Sequence, residues 1–185
     1  MPLAHIIDMR KLSNEELNRI SVEEFKNKKK IPLVVVLDNV RSMNNVGAAF
    51  RTSDAFCVEK IFLCGITASP PHREIHKTAL GATESVDWEH VESTMTLINR
   101  LKSLDYIIVS IEQVQDGLML QDFQPGKDKK YAFIFGNEAF GVDAAAVALS
   151  DICLEIPQFG TKHSLNISVS IGIVVWDFFV KTQFV

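Results

Sequence analysis

No pair of cysteines stands at metal-ligand spacing: Cys57, Cys64 and Cys153 are far apart and odd in number, which excludes a CxxC zinc ribbon and speaks against a disulfide framework. They read as small buried hydrophobes. No GxGxxG occurs and the nine glycines are scattered, so a ligand is not held by the glycine-rich turn of a dinucleotide-binding fold. Long apolar runs are missing as well. The most apolar stretch, Ile167 to Val180, is interrupted by Asp177 and closed by Lys181; it is too short for a comfortable membrane span and reads as a buried helix. The opening MPLAHIIDMRKLSNEEL has no basic start followed by a continuous apolar stretch and a small-residue cleavage site. The expectation is therefore a cytoplasmic protein without a membrane segment. Positive charge is not in excess either. A net charge of −4 excludes a surface that attracts nucleic acid everywhere and leaves only local patches. The candidates are Lys26 with Lys28, Lys29 and Lys30; Arg73 with Lys77; and Lys127 with Lys129 and Lys130. Each also reads as a solvated linker or turn.

What is present is ordinary globular composition: 185 residues, 47% hydrophobic and 23% charged, enough to bury one sizeable core. Ser13 and Ser21 each precede a glutamate, Glu16 and Glu24, at capping-box spacing, which predicts an N-terminal helix near Asn14 to Lys26. Pro32 follows, and Leu33 to Leu37 reads as a buried strand. Further β-rich runs lie at Lys60 to Cys64, Tyr106 to Ile111, Tyr131 to Phe135 and Ile152 to Ile156. Helical patterns lie at Val46 to Phe56, Ser93 to Lys102, Asp143 to Ala148 and about Leu165 to Val180. The alternation predicts an α/β protein with a largely parallel sheet and helices on both faces. Residues 1–30 read as a helical extension and 31–185 as the main domain.

Parallel α/β sheets bind ligands in loops beyond the carboxyl ends of their strands. That selects DNVRSMNNVGAAFRT (38–52), GNEAFGVD (136–143) and PQFGTKHSLN (157–166). On a helix starting near Val46, Gly47 and Arg51 share a face, so the missing side chain at Gly47 offers room for a ligand beside a guanidinium able to grip a phosphate. Alone, Arg51 reads as a surface arginine after a cap at Asn44 or Asn45. Gly136 directly after a strand lets backbone approach a ligand. Glu138 is then a partner for Arg51 or an acceptor for a ligand, or merely an exposed turn glutamate. Ser164 and Asn166 stand where caps are expected and where free N–H groups meet a polar ligand. His72, Glu74 and His76 suggest a metal, but HREIH is not HExxH and no third ligand is near, so no metal is expected.

In combination, NNVGAAFRT (44–52), FIFGNEAFGVD (133–143) and LEIPQFGTKHSLNISVS (154–170) resemble the three motifs of the TrmH (SpoU) family of SPOUT RNA methyltransferases. The likeness runs from about Leu33 to Lys181. It implies a fold with a C-terminal trefoil knot, a homodimer, an RNA substrate with tRNA favoured over rRNA, and S-adenosyl-L-methionine as cofactor. tRNA comes first because the extra N-terminal RNA-binding domain of several ribosomal members is missing. The resemblance places Arg51, Asn45, Glu138, Ser164 and Asn166 in catalysis, and Phe135, Gly136, Asn137, Ile156, Pro157, Ser164 and Leu165 around the cofactor. Met43, Cys57 and Ala139 depart from the motifs where proline, glycine and glycine are common, changing shape near the site.

The implied reaction moves a methyl group in line from a sulfonium to a ribose 2′-hydroxyl, which must lose its proton. The resemblance assigns the handling of that proton to Arg51, helped by an RNA phosphate. Arginine, with a pKa above ~12, is a poor base, so either bound RNA and an unusual environment make Arg51 a base or it acts mainly by stabilising the forming alkoxide. Asn45 is expected to orient Arg51 or the ribose, Glu138 to pair with Arg51, and Ser164 and Asn166 to fix the cofactor side. A base methyltransferase of the same superfamily, a non-catalytic RNA- or cofactor-binding module, and a small-molecule enzyme are the alternatives.

Overall fold

A computed structural model describes residues 10–184. Seven strands form one wholly parallel sheet in the order β3-β2-β1-β6-β4-β7-β5. They are β1 (Ile31–Asp38), β2 (Val58–Cys64), β3 (Trp88–Val91), β4 (Tyr106–Ile111), β5 (Leu118–Met119), β6 (Lys130–Phe135) and β7 (Ile152–Glu155). The central strands are apolar on both faces, as a doubly covered sheet requires. Leu33, Val35, Leu37, Phe133 and Phe135 join one buried cluster, while Val34, Val36, Ala132 and Ile134 join the other.

The first cluster is covered by α1 (Val22–Asn27), α2 (Met43–Ala55), α3 (Arg73–Ala79), α4 (Ala82–Ser85) and α7 (Ile167–Gln183), the second by α5 (Thr94–Lys102) and α6 (Ala144–Leu149). The expected layering is thus correct. One side of α7 is buried through Ile171, Val174, Val175 and Phe178, but Val169, Ile173 and Trp176 on its other side are 49%, 38% and 51% exposed. The helix is half-buried rather than enclosed. Among the described residues no helix is long and apolar enough to cross a membrane.

The long N-terminal helix expected over Asn14 to Lys26 is not formed. Both capping pairs make their bonds, Ser13 with Glu16 and Ser21 with Glu24. The first closes only a turn, because Asn18 takes a left-handed φ of 46° and breaks the helix before Ser21 starts α1. The helix with Arg51 begins at Met43, earlier than expected, and its cap is Ser42, whose hydroxyl accepts from Asn45 N. Neither Asn44 nor Asn45 is the cap. Of the cysteines only Cys64 is fully buried, and burial pushes its thiol up to about 12. His72 caps α3, its ring nitrogen accepting from Glu74 N.

Candidate active site

Strand β1 ends in a carboxylate after an unbroken apolar run, and that residue organises the carboxyl edge of the sheet. Asp38 is 1% exposed. Its oxygens accept from Thr94 Oγ1 at 2.6 Å, Asn39 Nδ2 at 2.9 Å and Asp143 N at 3.0 Å, the complement a buried carboxylate needs. The other end of the 137–143 loop is tied to the same place, since Asn137 Nδ2 donates to Asn39 O at 2.7 Å. Within the loop, Asn137 and Gly141 exchange two backbone bonds, and Asn137 Oδ1 accepts from Ala139 N and Phe140 N. Val142 N donates to Glu112 Oε2 at 2.9 Å.

This turn carries Glu138 to the start of α2. Its carboxylate accepts from Arg41 N at 3.0 Å, Ser42 N at 3.0 Å and Asn45 Nδ2 at 2.9 Å. Burial raises the Glu138 carboxyl, yet the donors from Arg41, Asn45 and Ser42 outweigh it and hold the group below the usual carboxylate range. Segments more than ninety residues apart are thereby joined, and a negative charge sits at the positive end of a helix.

Glu138 does not pair with Arg51, contrary to the sequence expectation. An α-helix rises about 1.5 Å per residue, so Arg51 lies roughly 9 Å further along α2 than Asn45. Arg51 is exposed and makes no ion pair among the described residues. The space left by Gly47 is not a ligand site either. A Cβ there would collide with Thr78 Oγ1 and Ile75 O of α3, so the glycine allows two helices to pack closely. A Cβ at Gly136 would strike the backbone of Gly141 and Val142; what approaches Gly136 is the loop's own return.

Beyond these strand ends lies a cavity of about 550 Å³. Phe135, Gly136, Asn137, Glu138, Ile156, Ser164, Leu165 and Asn166 all line it, so eight expected site residues meet in one place. Asn45, Arg51 and Pro157 do not line it. Asn166 also caps α7, accepting from Ser168 N at 2.9 Å and Ser168 Oγ at 2.6 Å. Sequence reasoning missed Glu112, Gln113, Glu155 and His163 in the lining. Gln113 Nε2 donates to His163 O at 3.1 Å and so tethers the 157–166 loop. The available signal was position: Glu112 and Gln113 directly follow β4, at the same sheet edge.

A parallel α/β sheet with a polar-rimmed cavity beyond its carboxyl ends has the arrangement in which folds of this class hold small ligands. Residues 32–176 match the model of the SpoU rRNA Methylase family, and the chain belongs to that family. It is 31% identical over 164 residues to an uncharacterized tRNA/rRNA methyltransferase of Borreliella burgdorferi, covering 88% of this chain and 68% of that protein. It is 28% identical to the 23S rRNA (guanosine-2'-O-)-methyltransferase RlmB of Neisseria meningitidis, covering 85% of this chain but 62% of the relative. Among solved structures, the TrmH/SpoU tRNA modifying enzyme of A. aeolicus shares the fold with a TM-score of 0.75 at 24% identity, over 86% of this chain and 79% of the other. The SpoU methyltransferase AviRb of Streptomyces viridochromogenes, in complex with AdoMet, gives a TM-score of 0.73 at 20% identity, over 84% and 62%.

Proposed function

We propose that the chain transfers a methyl group from S-adenosyl-L-methionine to a ribose 2′-hydroxyl of RNA, with tRNA the first choice of substrate. The observation that carries this reading is the cavity between the 136–141 turn and the 156–166 loop, built from the family's own segments. Its volume of about 550 Å³ falls in the range of small-molecule sites, roughly 300–1,000 Å³. Its lining suits the cofactor. Phe135, Ile156 and Leu165 offer apolar contact, Ser164 and Asn166 offer polar groups, and Glu112, Glu138 and Glu155 face a ligand that bears a positive sulfonium, with His163 the one basic lining residue. Pro157 fixes the direction in which the chain leaves β7.

When bound, the cofactor supplies an electrophilic methyl group. The chain's own residues do the rest. Glu138 holds Asn45 and the N-terminus of α2 beside the cavity, and Asn45, with its amide nitrogen on Glu138, fixes the start of the helix that carries Arg51. Arg51 donates to an RNA phosphate and to the 2′-oxygen as that oxygen's proton passes to solvent and negative charge develops there.

Arg51 lies outside its own chain's cavity, and this supports a homodimer in which it acts across the interface. The exposed Val169, Ile173 and Trp176 of α7 form an apolar face next to α2, with Trp176 packed on Phe56 at 5.6 Å. In the same reading the 137–143 and 157–166 loops belong to a C-terminal trefoil knot, residues 1–30 are an extension of a 31–185 catalytic domain, and the protein works in the cytoplasm.

The test is incubation with methyl-labelled cofactor and either bulk tRNA or bulk rRNA, followed by nuclease and phosphatase digestion. Label recovered in a 2′-O-methylnucleoside supports the reading. Label on a base favours base methylation, and cofactor binding without label transfer to either RNA favours a non-catalytic module. Arg51→Ala should bind cofactor within about twofold of wild type and lose roughly a hundredfold or more in turnover.

A further inference from the structure

Two of the three basic patches in the sequence, the two lysine runs, are brought together by the fold, at the end of the sheet opposite the cavity. Lys26, Lys28, Lys29 and Lys30 close α1 and lead into β1; Lys127, Lys129 and Lys130 lead into or start β6. β1 and β6 are parallel neighbours in register Leu33↔Tyr131, so both runs stand at the amino-terminal edge on adjacent strands about 4.8 Å apart.

The ammonium groups there are largely uncommitted. Lys30 is turned inward, donating to Phe25 O and Lys28 O, and Lys130 lies over the Tyr106 ring at 5.4 Å. Lys28, Lys29, Lys127 and Lys129 are exposed, and none is in an ion pair among the described residues. The carboxylates in these two segments are Glu23, Glu24 and Asp128, and Glu24 is turned onto Ser21 N. Seven lysines stand against these three carboxylates, and with Asp105 and Glu59 at the neighbouring starts of β4 and β2 the patch still keeps a local positive excess on a chain whose net charge is −4. Such local excess on an acidic protein selects polyanions.

We propose that the amino-terminal edge is a second RNA-contacting surface, which holds phosphates of the substrate remote from the nucleotide being methylated. The proposal rests on the RNA methyltransferase reading given above. β1 is eight residues long, so the lysines and the cavity are separated by roughly 25 Å at about 3.3 Å per residue. A stacked strand advances about 3.4 Å per nucleotide, and a short oligonucleotide in the cavity does not reach them. The edge therefore gives preference for a large, folded RNA over a short strand bearing the same target nucleotide.

The test uses the full chain with bulk tRNA, and compares wild type with the fourfold variants K28E/K29E/K127E/K129E and K28Q/K29Q/K127Q/K129Q. Binding is measured over a series of salt concentrations. Both variants should keep the wild-type melting temperature and cofactor affinity. Their tRNA affinity at low salt should fall at least tenfold, and the slope of log K against log salt should shrink by about 3, the value for four lost phosphate contacts. Methylation of bulk RNA should fall with it, while binding of a five-nucleotide single strand, about 17 Å long when stacked, should change less than twofold. An unchanged slope in folded variants of an RNA-methylating wild type would overturn the surface but leave the activity standing. A wild type that neither binds nor methylates bulk tRNA or rRNA would overturn both.

Discussion

The two loops that line the cavity are held in different ways. The 137–143 turn is fastened at both ends and in the middle: Asn137 to Asn39, Asp143 N to Asp38, Val142 N to Glu112, and Glu138 to three donors of the 41–45 segment. The 157–166 loop is mostly exposed, with one side-chain tether among the described residues, Gln113 to His163 O, before Asn166 caps α7. One wall is fixed by long-range bonds to the sheet; the other is free to adapt. A loop with few buried contacts opens at low free-energy cost, which suits admission of a cofactor. A pinned turn suits a charge that must keep its place.

The contrast can be broken most forcefully at Gly136. Gly136→Ala places a methyl group against the backbone of Gly141 and Val142, and the pinned turn cannot yield without losing its ties. A loss of roughly 3 kcal/mol in a urea melt is expected; a wild-type midpoint would show that the turn is not fixed. Asp38→Ala comes next, since it strips the acceptor from Thr94, Asn39 and Asp143 N. Losing a buried acceptor costs about 1–3 kcal/mol, and activity should fall with stability because Glu138 moves with its loop.

Glu138→Gln gives a smaller effect with a pH signature. The folded-state pKa of Glu138 is depressed, so its contribution is present above the ordinary carboxylate value, about 4.3, and is lost as pH falls through the lower folded value. The gap in melting temperature between wild type and the variant should be constant near pH 7 and close in acid. A gap that widens in acid would reverse the assignment. Gln113→Ala should have the least effect on stability, within about 0.5 kcal/mol, and should instead raise KM for the cofactor a few-fold. A large drop in melting temperature would mean that the second loop is pinned like the first.

The sequence carries the sheet more clearly than the ties that fix the site. Tyr106 to Ile111 is found with the expected bounds, and the other central strands within two residues, because buried parallel strands read as apolar runs. β3 (Trp88–Val91) and β5 (Leu118–Met119) escaped, since short edge strands with Glu89 and His90 carry no apolar pattern. α3 escaped because the charged REIHKTA resembles a turn. At the site, loop positions and residue types were readable, and eight expected residues line the cavity. The pairing was not. Asn45 and Glu138 are 93 positions apart, and opposite charge alone suggested Arg51 for Glu138, although the helix rise places it out of reach.

The activity proposed for this edge of the sheet is methylation of ribose in RNA. It is tested most directly by mapping 2′-O-methylation across total cellular RNA in a strain that lacks the gene, in that strain carrying the wild-type gene, and in that strain carrying Arg51→Ala. The account predicts a position that loses its methyl group in the deletion, regains it with wild type, and stays unmethylated with the variant. A map that is identical in all three strains would contradict it.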